Sequence, residues 1–218
     1  QGVATCEFLL PHAGTPVLLE VNARLQVEHA VSEEVSGMDL VRAQLVLAQG
    51  GDLDEVLATC GGSPLPSSRG AGTRLRVDGH AVEARLYAED PDTLLPSQVA
   101  LRALSIPLST PDERAEVASH RPPSLPRLRV ERGTYPGDAP QPAFSEPLAL
   151  VSATAASREE ALATLDAALE QVEVQGPATL VPLLRQALAD PEMREPMDYR
   201  VTTRWVEEHL RPDAAGAG

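Results

Sequence analysis

The most constraining feature of this sequence is how it opens. Two apolar runs of β type, VATCEFLL at 3–10 and TPVLLEV at 15–21, are separated by Pro11-His12-Ala13-Gly14. Turn residues between two such runs specify a hairpin, and a hairpin dictates which side chains oppose each other. With the turn centred between Ala13 and Gly14, residues whose numbers sum to 27 face each other, so Glu7 lies opposite Glu20. Like charges in direct cross-strand opposition are destabilising, and apolar neighbours raise the cost by thinning the solvation of both carboxylates. Two readings are open. A divalent cation neutralises the pair, with Asn22 on the face of Glu20 by the two-residue strand period and hard oxygens suiting Mg²⁺ or Mn²⁺. Alternatively the hairpin face is solvated and a bulge breaks the register.

Beyond Asn22 the chain reads A-R-L-Q-V-E-H at 23–29. If it stays extended, alternation places Arg24, Gln26 and Glu28 on one side. A guanidinium, an amide and a carboxylate together make a site for a small oxyanion with a proton acceptor beside it. The other reading is a surface loop whose charges pair with one another. His29, entering a helix, is either a hydrogen-bonded structural residue or a catalyst.

The remainder has mixed character. A helix is expected over 28–36, stopped by Gly37, and a second over 40–48 with Asp39 as its N-cap. A helical turn at 52–57 leads into CGGSPLPSSRGAG at 60–72, a solvated loop or a boundary. Strands follow at 80–87, near 99–106, at 127–132 and at 147–154, with a proline-rich loop over about 107–126. Ser157 and Glu160 form an S-x-x-E capping box ahead of Ala161, Leu162, Leu165, Ala168, Leu169 and Val172 at helical spacing. Further helices are expected at 177–189 and 203–210, and the class is α+β.

Composition narrows the function. The net charge of −14 opposes binding to nucleic acid or to an anionic membrane, and no apolar run reaches spanning length. All 18 basic residues are Arg. With no Lys, the chain itself supplies no Schiff-base amine, no biotin-accepting ammonium and no phosphate-loop lysine. Two cysteines make no disulfide framework, which points to a reducing cytoplasm. Length allows one domain, or a piece of one plus another. The strand-like run starting beside Gln1 reads as cut from something longer.

GVATCEFLL, LLEVNARLQVEHAVSEEVSGMDLVRAQL and GHAVEARLYAEDPDTLLPS together resemble the biotin carboxylase component of biotin-dependent carboxylases, an ATP-grasp family. The resemblance continues through RVERGTYPG at 129–137 to TTRWVEEHL near the end. It implies the end of an ATP-grasp core of antiparallel strands and helices over 1–50, a loop-rich connection over 51–79, the biotin carboxylase C-terminal α+β domain over 80–210 and a tail over 211–218. It further implies ATP- and bicarbonate-dependent carboxylation of biotin through carboxyphosphate. Glu7, Glu20 and Asn22 match the positions that hold Mg²⁺ or Mn²⁺ against ATP. Arg24, Gln26 and the backbone of Val27 match those holding bicarbonate, Glu28 the general base, and Arg85 the arginine that stabilises the biotin enolate. The implied partners are an N-terminal ATP-grasp portion, a biotin carboxyl carrier domain, a carboxyltransferase and a second copy of the chain.

Departures bear on this picture. The Gly-rich lid and phosphate-binding lysines of the family have no counterpart, so the chain alone is expected not to turn over ATP. The A-M-K-M biotinylation motif is absent. Where relatives carry a Y-Y-D-x-M-x-x-K-like run near their dimer contacts, this chain has Phe144, Ser145 and Leu150 in place of Tyr, Asp and Lys. The loop near 60–72 is longer than usual and reads as a surface insertion. Two alternatives follow: a non-catalytic scaffold subunit, or a carbamoyl phosphate synthetase-like fragment, which shares E-V-N-A-R-L but not Q-V-E-H or E-A-R.

Overall fold

The computed structural model describes residues 2–11, 14–65, 74–107, 126–138, 146–194, 201–202 and 204–210. The centre of the hairpin turn, most of the Gly/Ser/Pro loop and the proline-rich loop, residues 143–145 and the tail lie outside them. The described residues up to Asp78 form one compact unit and those from Gly79 onward a second.

The first unit opens with the hairpin of β1 (Thr5–Leu9) and β2 (Val17–Asn22). Glu7 pairs with Glu20 and Thr5 with Asn22, as the turn arithmetic requires. The register then shifts between Glu7 and Phe8, so that Phe8 opposes Leu18 and Leu9 opposes Val17. A single rule for the whole hairpin therefore fails. One extra residue on β2 sits between the carboxylate pair and the turn, a bulge of the kind that re-aims strands next to sites.

Three helices follow: α1 (His29–Ser36), α2 (Leu40–Ala48) and α3 (Leu53–Thr59). Their ends are chemically marked. Gly37 adopts the left-handed conformation at φ 68° and its N–H reaches the Glu33 carbonyl. Asp39 accepts from the Arg42 N–H at 2.7 Å, and Asp52 from that of Glu55 at 2.9 Å. Met38, Ala43, Val56 and Cys60 form a small core between α2 and α3. Residues 53–59 are thus a helix packed into this unit, and a short hairpin of β3 (Pro64–Leu65) with β4 (Arg74–Leu75) brackets the segment read as loop.

The second unit carries the larger core. Its sheet has the order β5 (His80–Leu86), β8 (Ala149–Ala155), β7 (Arg127–Arg132), all antiparallel, while β6 (Ala103–Ser105) pairs separately with β9 (Glu173–Gln175). Strand β8 is buried along its whole length because it is central and covered on both faces. Helix α4 (Arg158–Glu170) buries Ala161, Leu162, Leu165, Ala168 and Leu169, the stripe its spacing requires, in one cluster with Val151 and Ala153 of β8. Ser157 accepts from the Glu160 N–H at 3.2 Å. Helices α5 (Val181–Ala189) and α6 (Pro191–Arg194) and a π-helical turn at Val206–Leu210 complete the unit. No described helix is long and apolar enough to cross a membrane.

Candidate functional site

The hairpin brings three of the candidate residues together. The Asn22 side-chain amide donates from Nδ2 to Glu7 Oε1 at 2.8 Å and to Glu20 Oε1 at 2.9 Å. One amide group therefore bridges the opposed carboxylates and places two N–H dipoles where their mutual repulsion is greatest. The two carboxylates share one exposed face, with the NH₂ of Asn22 turned to them, and carboxylate oxygens are the donors that a hard divalent cation takes. Around this polar cluster the hairpin is apolar and uncovered: Phe8, Leu9, Val17, Leu18, Leu19 and Val21 are all more than half exposed. The hairpin thus presents unpaired strand edges and a contiguous set of exposed apolar side chains.

The next turn groups a second set. Arg24 Nη1 donates to Gln26 Oε1 at 2.9 Å and to the Leu25 carbonyl at 3.2 Å. With its oxygen turned to the guanidinium, the Gln26 amide keeps its NH₂ as a donor for an incoming oxyanion. His29 Nδ1 lies 3.0 Å from the Gln26 carbonyl and the Val31 N–H reaches the Glu28 carbonyl at 3.2 Å, so a tight turn presents residues 26–28 at the start of α1. His29 thereby has a structural contact. Glu28 occupies the N-cap position but makes no side-chain capping bond, and its carboxylate, like Val27, is exposed. The extended alternation assumed for 24–28 does not persist; a turn does the grouping instead.

Arg85 belongs to the second unit. Along β5, Val82, Ala84 and Leu86 enter the core, so alternation places Glu83 and Arg85 on the opposite face. On that face the register aligns Arg85 with Leu150 of β8 and Glu131 of β7, and Glu83 with Ser152 and Arg129. Ser152 Oγ donates to Glu83 Oε2 at 3.0 Å, and Arg129 pairs with Glu131. Leu150 is 9% exposed between Arg85 and Glu131, so the departure from lysine lies in the same row as Arg85. The polar row Arg127, Arg129 and Glu131 was not singled out from sequence, although its signal is present: R-L-R-V-E-R alternates charged and apolar residues through its first five positions.

The sequence pattern of the biotin carboxylase C-terminal domain matches residues 83–208, and that of the carbamoyl-phosphate synthase L chain ATP binding domain matches residues 1–56. The chain is 34% identical over 208 residues to the biotin-dependent acyl-coenzyme A carboxylase alpha3 subunit of Mycobacterium leprae, covering 94% of this chain and 29% of that one. Among solved structures, a single-chain, multi-domain long-chain acyl-CoA carboxylase superposes with a TM-score of 0.76 at 31% identity, over 100% of this chain and 20% of that one. The biotin carboxylase domain dimer of the Hydrogenobacter thermophilus 2-oxoglutarate carboxylase, solved with MgADP, ADP and bicarbonate, gives 0.73 at 28% identity, over 95% of this chain and 38% of that one. The chain spans between 29% and 39% of the length of the first curated relatives it matches. The α+β fold is that of biotin carboxylase domains, with an ATP-grasp segment preceding the C-terminal domain. Because the matched domain covers more than half of its residues, this chain belongs to the biotin carboxylase C-terminal domain family.

Proposed function

We propose that this chain forms the C-terminal part of a biotin carboxylase, a ligase that carboxylates biotin at the expense of ATP and bicarbonate. The observation that carries the reading is the Glu7–Asn22–Glu20 cluster followed at once by the Arg24–Gln26 pair and Glu28, in the order the chemistry needs. In this reading Glu7 and Glu20, with Asn22 beside them, would hold Mg²⁺ or Mn²⁺. The bound cation supplies charge neutralisation for the nucleotide phosphates. Arg24 and the Gln26 amide, with the Val27 backbone, hold bicarbonate. Glu28 removes its proton so that the freed oxygen can attack the terminal phosphate of ATP. Arg85 stabilises negative charge on the biotin ring, which arrives on a carrier domain.

The division of labour follows. Residues 1–50 close an ATP-grasp core, 51–79 connect, and 80–210 form the C-terminal domain. A preceding ATP-grasp portion supplies the phosphate-binding lysines that this lysine-free chain cannot and covers the bare hairpin, while a carboxyltransferase selects the final acceptor. The reading places the protein in the cytoplasm, in keeping with two cysteine thiols, and pairs it with a second copy of itself. A second reading, a non-catalytic subunit, rests on Leu150 beside Arg85.

The test is Glu28→Gln in the complete carboxylase. Bicarbonate-dependent ATP cleavage is expected to fall by about 10²- to 10⁴-fold, the usual contribution of a general base, with nucleotide affinity retained. Normal turnover sinks the base assignment. The 218-residue chain by itself is expected to release no ADP in a coupled assay with bicarbonate and free biotin.

A further inference from the structure

Helix α1 starts directly after Glu28, and the face it buries is unusual. Its buried residues are Ala30, Glu33 and Glu34, which the helical period places side by side, so the inward face is one methyl group and two carboxylate side chains. The apolar core of the first unit, centred on Met38, Ala43, Val56 and Cys60, includes no residue of α1. A helix this poor in apolar packing takes its orientation from polar bonds. Two backbone bonds hold its C-terminal end: the Val35 carbonyl accepts from the Asp78 N–H at 2.8 Å, and the carbonyl of the capping Gly37 from the Gly62 N–H at 2.9 Å.

A third bond crosses to α2. Glu33 is 2% exposed, and its Oε1 accepts the N–H of Leu40, the first residue of α2, at 2.7 Å. That N–H is one of those a helix start leaves without an internal partner. Asp39 takes a second, the N–H of Arg42. Two carboxylates therefore share the α2 N-terminus, where the aligned peptide dipoles favour negative charge. They differ in what they tie. Asp39 caps α2 from the residue just ahead of it, whereas Glu33 belongs to α1 and fixes one helix against the other.

We infer, on the carboxylase reading in which Glu28 is the base, that Glu33 is a positioning residue: its bond to α2 sets the angle of α1 and so the place of Glu28. The Glu28 carbonyl accepts the Val31 N–H at 3.2 Å, which makes its backbone part of the first turn. Glu33 stands five residues further on, about 7.5 Å along the axis, between Glu28 and the anchored end. A tilt about that end therefore moves Glu28 further than it moves Glu33. Displacing a reacting group by about 1 Å costs about 10²-fold in rate.

The experiment is a double-mutant cycle in the complete carboxylase, read as bicarbonate-dependent ATP cleavage. Glu33→Ala is expected to lower kcat about 10- to 100-fold with the KM for ATP unchanged. Glu33→Gln keeps an acceptor oxygen at the same reach and is expected to restore most of that loss. Asp39→Ala removes a cap from the same helix start without untying α1; it is expected to lower thermal stability while leaving kcat as it was. If Glu33 acts through Glu28, adding Glu33→Ala to Glu28→Gln slows the enzyme no further, whereas a general loss of folded enzyme multiplies the two effects. Glu33→Asp, which shortens the reach by one methylene, takes the place of Glu33→Ala if the latter does not fold. An unchanged kcat on untying Glu33, an equal loss in Asp39→Ala, or multiplied effects in the double variant overturns the positioning role while Glu28→Gln remains impaired. Normal turnover in Glu28→Gln overturns the base assignment and the positioning role with it.

Discussion

Leu165→Ala tests the packing that supports Arg85. Leu165 is 1% exposed at the middle of the α4 stripe, and the residues sharing its cluster from β8 are Ala149, Val151 and Ala153. Removing three carbons forfeits their transfer energy and leaves a cavity whose cost depends on how far the neighbours collapse into it. Collapse is restricted here. The β8 side chains are short, and the strand is held on both edges by β5 and β7. The loss is therefore expected within the upper part of the usual Leu→Ala range, about 3–4 kcal/mol, out of a total that for most domains is only about 5–15. Ser157→Ala, which deletes the N-cap bond of the same helix, is expected to cost about 1 kcal/mol and calibrates the measurement. Urea unfolding followed by Trp205 emission reports the second unit specifically, since the only tryptophan lies there. The midpoint should fall with an unchanged slope. A loss no larger than that of Ser157→Ala would refute the claim that α4 and the sheet form one rigidly packed layer.

Gly176→Ala should be more disruptive than its size implies. Gly176 has φ +125° and an added Cβ would lie 2.3 Å from the Ala100 carbonyl oxygen, so the backbone flanking the β6–β9 pair must shift; a loss of about 2 kcal/mol or more in the same urea assay is expected, and a neutral result refutes the close approach. The Asp90 carboxylate is held below its ordinary range, first by the Thr93 backbone N–H and then by the Thr93 hydroxyl. Its folded-state value being depressed, its contribution is present above the unfolded-state value and is lost as pH falls through the folded one. The Thr93 amide resonance should therefore hold steady from neutral pH into the carboxylate range and move only below it; movement centred at or above the ordinary Asp value contradicts the hydrogen bond.

Much of the local structure was legible because it is written in short-range chemistry. The caps Asp39 and Ser157 and the stop at Gly37 lie where backbone donors and acceptors run out at helix ends, and a side chain three residues away suffices to locate them. The Glu7–Glu20 opposition was readable from the turn, and Asn22 followed from the strand period. The bulge was not, because nothing between Phe8 and Leu19 distinguishes one apolar residue from the next. Likewise β9 and α6, three and four residues long, are too short for any periodicity to register.

Sequence by itself determined the residue types, their order and the faces they occupy: paired carboxylates on a hairpin, an Arg-x-Gln-x-Glu run, an arginine on an alternating strand, and no lysine at all. Tertiary structure alone decided what meets what. It placed β8, late in the sequence, between β5 and β7, and so set Leu150 beside Arg85 and Glu131. It turned the 24–28 segment so that Arg24 orients Gln26. It also gathered Trp205, His209 and Glu192 around one carboxylate oxygen. The physical reason is common to all three. Periodicity and capping act over a few residues, whereas strand order and the docking of a terminal turn depend on which distant surfaces bury the most apolar area together, and no local pattern encodes that choice.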